Sequence, residues 1–164
     1  MSDTAGAASE DLKGRVLAIL ARHRTMTIAT LRPDGWPQAT IVGYANDDLD
    51  LYFVIAADSQ KHANILRDRR ASIAIGGDPP AGQPIVGLSM AVTVAPVSDP
   101  AEVERLNALV ARRYPEHATF SPNSQSVAVM KAVPEVISVV DSSAKGPRAQ
   151  LLQVLRQAVL RPLP

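Results

Sequence analysis

Residues 58–64 read DSQKHAN and follow directly on the apolar run LYFVIAA (51–57). Ser59, Gln60 and Lys61 place a hydroxyl, an amide and an ammonium on three successive residues. The residues after them, 59–68, read as a short helix with Ala63, Ile65 and Leu66 on its apolar side. The first turn of a helix carries unpaired backbone N–H groups and the positive end of the helix dipole. A phosphate there would meet amides, hydroxyl and ammonium together. A ring system attached to it would lie along the strand that leads into the turn. The pattern suits a phosphorylated ligand with an elongated aromatic part, and it equally suits an ordinary capped helix with a solvated lysine.

Other spacings carry less. There is no GxGxxG and no GxxxxGK, so the two commonest phosphate loops are absent. GLSMA (87–91) has the outline of a nucleophile elbow, but Ala91 replaces the second glycine and Ser89 lies inside a long β-rich run. His23, His62 and His117 are scattered, which predicts no metal site. NDDLD (46–50) is too short for a calcium loop and reads as a hairpin turn. Arg67, Arg69 and Arg70 with Asp68 between them read as a solvated helix end. The chain has no cysteine, which removes disulfides and thiol catalysis.

The elements that must position these residues follow from periodicity and turn chemistry. SEDLKGRVLAILARHR (9–24) is helical, with Leu12, Val16, Ile19 and Leu20 on one face and Ser9 as its cap. Residues 1–9 lack periodicity and are expected to be disordered. Runs 25–31 and 38–45 flank RPDGWP and form a hairpin, and a third run, 49–56, completes a meander. Residues 71–77 and 85–97 are strands, and 98–115 is a helix opened by Ser98 or Asp99 and Pro100. Residues 126–141 give one or two strands broken near Pro134, and the tail from 148 reads as a final helix.

With 164 residues, the chain suits one domain, 10–164, and one core. Hydrophobic residues are 46 % but aromatics only 4 %, so that core must be mostly Val, Ile, Leu and Ala. A net charge of +1 leaves no footprint for nucleic acid or an anionic membrane. The polar N-terminus lacks the form of a signal peptide, so a cytoplasmic protein is expected. Mostly sequential strands without βα alternation predict a mainly β protein with peripheral helices, an antiparallel sheet closed into a small barrel.

The assembly TIATLRPDGWPQATIVGY, LYF, SQKHAN and DRRASI resembles the flavin-binding split-barrel family related to pyridoxamine 5′-phosphate oxidase, over residues 10–141 or so. The resemblance implies a homodimer of six-stranded antiparallel split β-barrels, binding FMN or the deazaflavin F420 at the subunit interface. It implies that Lys61 contacts the flavin phosphate with Ser59 and Gln60 beside it. Val54, Ile55 and Ala56 would run along the isoalloxazine, and Ala39, Thr40, Ile41 and Val42 would line the other part of the site. The sequence departs from the oxidase pattern at Ala39, where an arginine helps hold the flavin, and at Tyr44, where a lysine binds flavin and substrate phosphate. The implied activity is an FMN-dependent oxidoreductase of unidentified small-molecule substrate. The alternatives are an F420-dependent reductase and a non-catalytic flavin- or haem-binding module. No side chain is assigned as acid or base. Trp36, Tyr44 and Tyr52 are the polar-tipped aromatics nearest the implied site.

Overall fold

Alternating burial along the strands organises the molecule. In β1 (Thr25–Leu31), Met26, Ile28 and Thr30 are buried and the residues between them face outward. The turn to β2 (Pro37–Gly43) is made by Asp34-Gly35, where Gly35 adopts φ +86° and Asp34 Oδ1 accepts from the Trp36 amide. The computed structural model describes residues 3–116, 126–143, 149–155 and 159–162, with side chains for 10–116 and 126–143.

The remaining elements are α1 (Asp3–Arg22), β3 (Ala45–Asp47), β4 (Asp50–Ala56), α2 (Gln60–Arg67), β5 (Arg70–Ile75), β6 (Val86–Pro96), α3 (Pro100–Arg113), β7 (Val127–Asp141), β8 (Ala149–Leu155) and β9 (Val159–Pro162). Seven strands run in the order β2-β1-β5-β6-β7-β4-β3, each pair antiparallel. The first and last strands of this path, β2 and β3, are separated in sequence by Tyr44 alone. The sheet therefore has to curl round on itself. The fold is mainly β with few helices, as the strand pattern predicted. The resemblance implied six strands; the described sheet has nine, because the chain breaks at Tyr44 to turn the corner and the tail adds β8 and β9.

Inward residues of the curled sheet form one apolar core that includes Ile28, Leu51, Phe53, Ile73, Met90, Met130 and Ile137. Val16, Ile19 and Leu20 of α1 join it. A second cluster lies outside the sheet, where Val103, Leu106 and Val110 of α3 pack on Ala45, Tyr52 and Val129. Asp99 caps α3 by accepting from the Ala101 amide at 3.0 Å, with Pro100 in the first turn. β4 is thus covered on both faces, which explains why its sequence does not alternate cleanly.

Two expectations are corrected and one open alternative is decided. α1 begins at Asp3, so Ser9 lies within the helix rather than capping it, and residues 3–9, expected to be disordered, belong to its first turns. Residues 127–141 form one strand, because Pro134 sits beside the register shift at Ala91/Val92 and between the stretches of β7 that pair with β4 and β8. A proline costs little where the ladder is already interrupted. The tail is two strands, not a helix. β4 pairs only with residues 127–132 of β7, so the edge at Val136–Val140 is open to β8, and β9 pairs with β8 in turn. Pairing with an available edge outweighs a weak helical preference. Among the described residues, no helix is long and apolar enough to cross a membrane.

Candidate functional site

β4 ends at Ala56, and the chain turns through Ala57 and Asp58 into α2. Ser59 is the helix cap, with extended backbone (φ −75°, ψ 148°). Its Oγ accepts from the His62 amide at 3.3 Å and donates to the Ala56 carbonyl at 2.7 Å. This fixes the angle between strand and helix. The amides of Gln60 and Lys61, first in the helix, have no intrahelical acceptor. The His62 ring is held by its Nδ1, 2.7 Å from the Ala57 carbonyl.

α2 is anchored underneath by Asn64, which is 1 % exposed. Its side-chain amide donates to Thr30 Oγ1 and Gln38 Oε1, each at 3.1 Å, and its oxygen accepts from Gln60 Nε2 at 2.9 Å. Ile65, fully buried, supplies the apolar contact. At the far end, Arg67 donates to the carbonyls of Leu31 and Arg32 at 2.7 and 2.9 Å, tying α2 to the β1–β2 hairpin. Hydrogen bonds from Arg70 hold the Asp68 carboxyl down to about 2. Arg67 and Arg70 are thus engaged within the chain rather than simply solvated.

Lys61 differs from these cations. It is half-buried, and burial lowers its pKa. It makes no hydrogen bond or ion pair among the described residues. A partly desolvated ammonium without a counterion is unfavourable by itself and favourable beside an anion.

The other predicted residues divide by face. β2 and β4 approach each other across the seam of the curled sheet, and α2 touches β1 and β4, so all three segments converge. Ile41 (74 % exposed) and Ala56 face outward, while Val54 turns outward toward α3. Val42 and Ile55 point into the core and can offer only backbone groups outside. Thr40 lies opposite Ile28, and its buried Oγ1 has no hydrogen-bond partner among the described residues. Ala39 is exposed on the outer face. Tyr44, 2 % exposed, donates to the Leu20 carbonyl at 2.8 Å, and burial pushes its hydroxyl up to about 12. Tyr52 donates to Glu102 at 2.8 Å. Trp36 is 71 % exposed on the hairpin. His23 and His62 lie apart, and His117 lies outside the described residues. Among those residues no group of three metal-ligating side chains occurs. The three-way anchoring by Asn64 was the feature sequence alone did not supply. Its signal was a polar residue beside Ile65 on the helix's buried side.

An unpaired half-buried ammonium, a capped helix start and an adjoining strand backbone fit a phosphorylated ring compound. The profile of the pyridoxamine 5′-phosphate oxidase family matches residues 12–141. The chain belongs to the pyridoxamine 5′-phosphate oxidase family. Solved structures agree with this family's fold. A conserved hypothetical protein from Mycobacterium tuberculosis is similar at 25 % identity and TM-score 0.66, covering 77 % of this chain and 82 % of that one. The haem storage protein HutZ from Vibrio cholerae is similar at 17 % identity and TM-score 0.64, covering 73 % of this chain and 87 % of that one. A haem binding protein from Mycobacterium smegmatis is similar at 20 % identity and TM-score 0.64, covering 86 % of this chain and 56 % of that one. The last two share the fold of the pyridoxamine 5′-phosphate oxidase family and no more than that. No curated protein sequence matches the chain.

Proposed function

We propose that this chain binds FMN, with the phosphate at the start of α2, and acts as a flavin-dependent oxidoreductase on a small molecule. The observation that carries the reading is Lys61, the half-buried ammonium without a partner among the described residues. The free amides of the first turn complete the anion cradle, with Ser59, whose hydroxyl is held by the Ala56 carbonyl, setting the turn and Gln60 beside it. The backbone of Val54, Ile55 and Ala56 then runs beside the ring, and Ile41 offers an apolar surface from β2. When bound, the flavin supplies the redox chemistry, and the protein supplies position and a dry wall. The vitamin B6 oxidase reaction is not part of the proposal, because Ala39 and Tyr44 carry no charge where the oxidase pattern has basic residues.

A homodimer belongs to the same reading. The outer face of β2, β1, β5 and β6 is lined by small residues such as Ala39, Ala29, Ala74 and Ala91, with Ile41 standing exposed among them. Such a face of small side chains suits a second copy, which would shield the ring from water.

A haem reading has one specific observation in its favour besides the two haem proteins of this fold. With Nδ1 bonded to the Ala57 carbonyl, the neutral His62 ring keeps Nε2 free as a metal ligand, and Lys61 would suit a propionate.

The test is the spectrum of the purified protein before and after titration with FMN, F420 and haemin. The flavin reading expects a yellow protein that bleaches with dithionite. Lys61→Ala should weaken FMN at least tenfold, about 1.4 kcal/mol, without changing Tm. A protein that takes up no FMN, or binds it equally well without Lys61, refutes the reading. A Soret band shifted by His62→Ala favours haem.

A further inference from the structure

Apart from the tyrosines, Thr30 and Asn64 are the buried polar side chains among the described residues, 2 % and 1 % exposed. They belong to one relay of hydrogen bonds that runs from the start of α2 to β1 and β2. Gln60 Nε2 donates to Asn64 Oδ1 at 2.9 Å, and Asn64 Nδ2 donates to Thr30 Oγ1 and to Gln38 Oε1, each at 3.1 Å. One end of the relay, Gln60, is exposed and next to Lys61 in the first turn of the helix. The other end, Gln38, is half-buried on β2.

Three amides wired in this way have a second arrangement. A carboxamide keeps its shape when its oxygen and nitrogen change places, but donor and acceptor are exchanged. With all three turned over, Gln38 Nε2 and the Thr30 hydroxyl donate to Asn64 Oδ1, and Asn64 Nδ2 donates to Gln60 Oε1. The three hydrogen bonds of the first arrangement are replaced by three others between the same residues. Turning Gln60 alone would set two oxygens face to face, so the amides change together. The second arrangement also supplies a missing partner. Thr30 Oγ1 accepts from Asn64, but among the described residues its own proton has no acceptor, although the side chain is buried. After the exchange, Asn64 Oδ1 accepts it. The outward difference lies at Gln60, which presents a free carbonyl oxygen in the first arrangement and a free NH2 group in the second. An oxygen repels an anion, whereas an N–H donates to it.

We infer that an anion at the start of α2 holds this relay in its second arrangement, with Gln60 donating to the anion and with Asn64 and Gln38 as positioning residues for that bond. The inference rests on the reading that a phosphate binds there. It adds that a residue of β2, acting through Asn64, decides which atom Gln60 offers.

Gln38→Glu is the informative variant, because a carboxylate only accepts. It keeps the bond from Asn64 Nδ2 and locks the first arrangement. A double-mutant cycle with Gln60→Met separates this lock from the added charge. In the wild-type chain Gln60→Met should weaken FMN about fivefold or more and leave phosphate-free riboflavin unchanged. In the Gln38→Glu chain the same change should alter FMN affinity less than about twofold. Equal losses in both backgrounds, or no loss in the wild type, overturn the inference. The flavin reading survives that result if Lys61→Ala still weakens FMN. Inorganic phosphate tests the relay without FMN and without a variant. In isotope-labelled wild-type protein, phosphate should move the side-chain NH2 resonances of Gln38 downfield together with those of Gln60, as the Gln38 amide enters a hydrogen bond. A shift confined to Gln60, or no shift, overturns the inference. A joint shift in a chain that takes up no FMN upholds the relay and refutes the flavin reading alone.

Discussion

The two helices that close on β4 do so by opposite means. α2 docks through one apolar side chain, Ile65, the amide of Asn64 and the guanidinium of Arg67, and leaves Lys61 without a partner among the described residues. α3 docks through Val103, Leu106 and Val110, and charges at its base are paired. Arg105 meets Asp47 at 2.9 Å, and Lys131 meets Asp50 at 3.0 Å and Glu102 at 3.1 Å. A contact evolved only for packing has no reason to keep a half-buried ammonium unpaired. The difference separates a helix that holds the sheet from one that presents a charge.

Four changes break or sharpen that contrast. Leu106→Ala should cost the most, about 3 kcal/mol, by opening a cavity under α3. Chemical denaturation would show this, and FMN affinity should stay within about threefold, under ~0.7 kcal/mol. Asn64→Ala should cost about 2 kcal/mol, since Thr30 and Gln38 lose a partner, and here FMN affinity should fall as well because the cradle loosens. If both variants spare the ligand equally, the contrast fails. Glu102→Gln should cost about 1 kcal/mol at neutral pH. The hydrogen bond from Tyr52 holds the Glu102 carboxyl below its usual range, helped by Lys131. Its contribution is therefore full above the unfolded carboxylate range and is lost as pH falls through the lowered folded value. Urea midpoints of wild type and Glu102→Gln should converge on acidification. The smallest effect concerns Lys61, whose pKa is lowered by burial. As pH rises through that lowered value the ammonium discharges, so FMN should weaken while phosphate-free riboflavin does not. Parallel curves for the two ligands would place the phosphate elsewhere.

Much of the fold could be read from local signals. Asp34-Gly35 gave the hairpin, Ser59 and Asp99-Pro100 gave the starts of α2 and α3, and the β-branched run at 85–97 gave β6. What escaped depended on distant partners. The helical reading of the tail from 148 failed because the free edge of β7 exists only beyond the end of its pairing with β4, where Leu51 lies opposite Ala132, and Leu51 is far from the tail in sequence. Pro134 looked like a break because its bulge exists only against Ala91 and Val92. At the candidate site, residue types indicated the cradle, but only the packed structure separates Ile41, Val54 and Ala56, which face outward, from Val42 and Ile55, which do not.

The one-residue link at Tyr44 also shapes how the chain reaches its native state. β2 and β3 are neighbours in sequence at opposite ends of the ladder, and β4 finds its second partner only in β7, with Leu51 opposite Ala132. The ring cannot close until the chain has been made through Ala132. Topology dominated by such distant pairings folds in about milliseconds to seconds rather than microseconds. Until then the edge of β4 stands open, and nascent or truncated chains ending before Val127 carry an unpaired apolar strand ready to join a neighbour's.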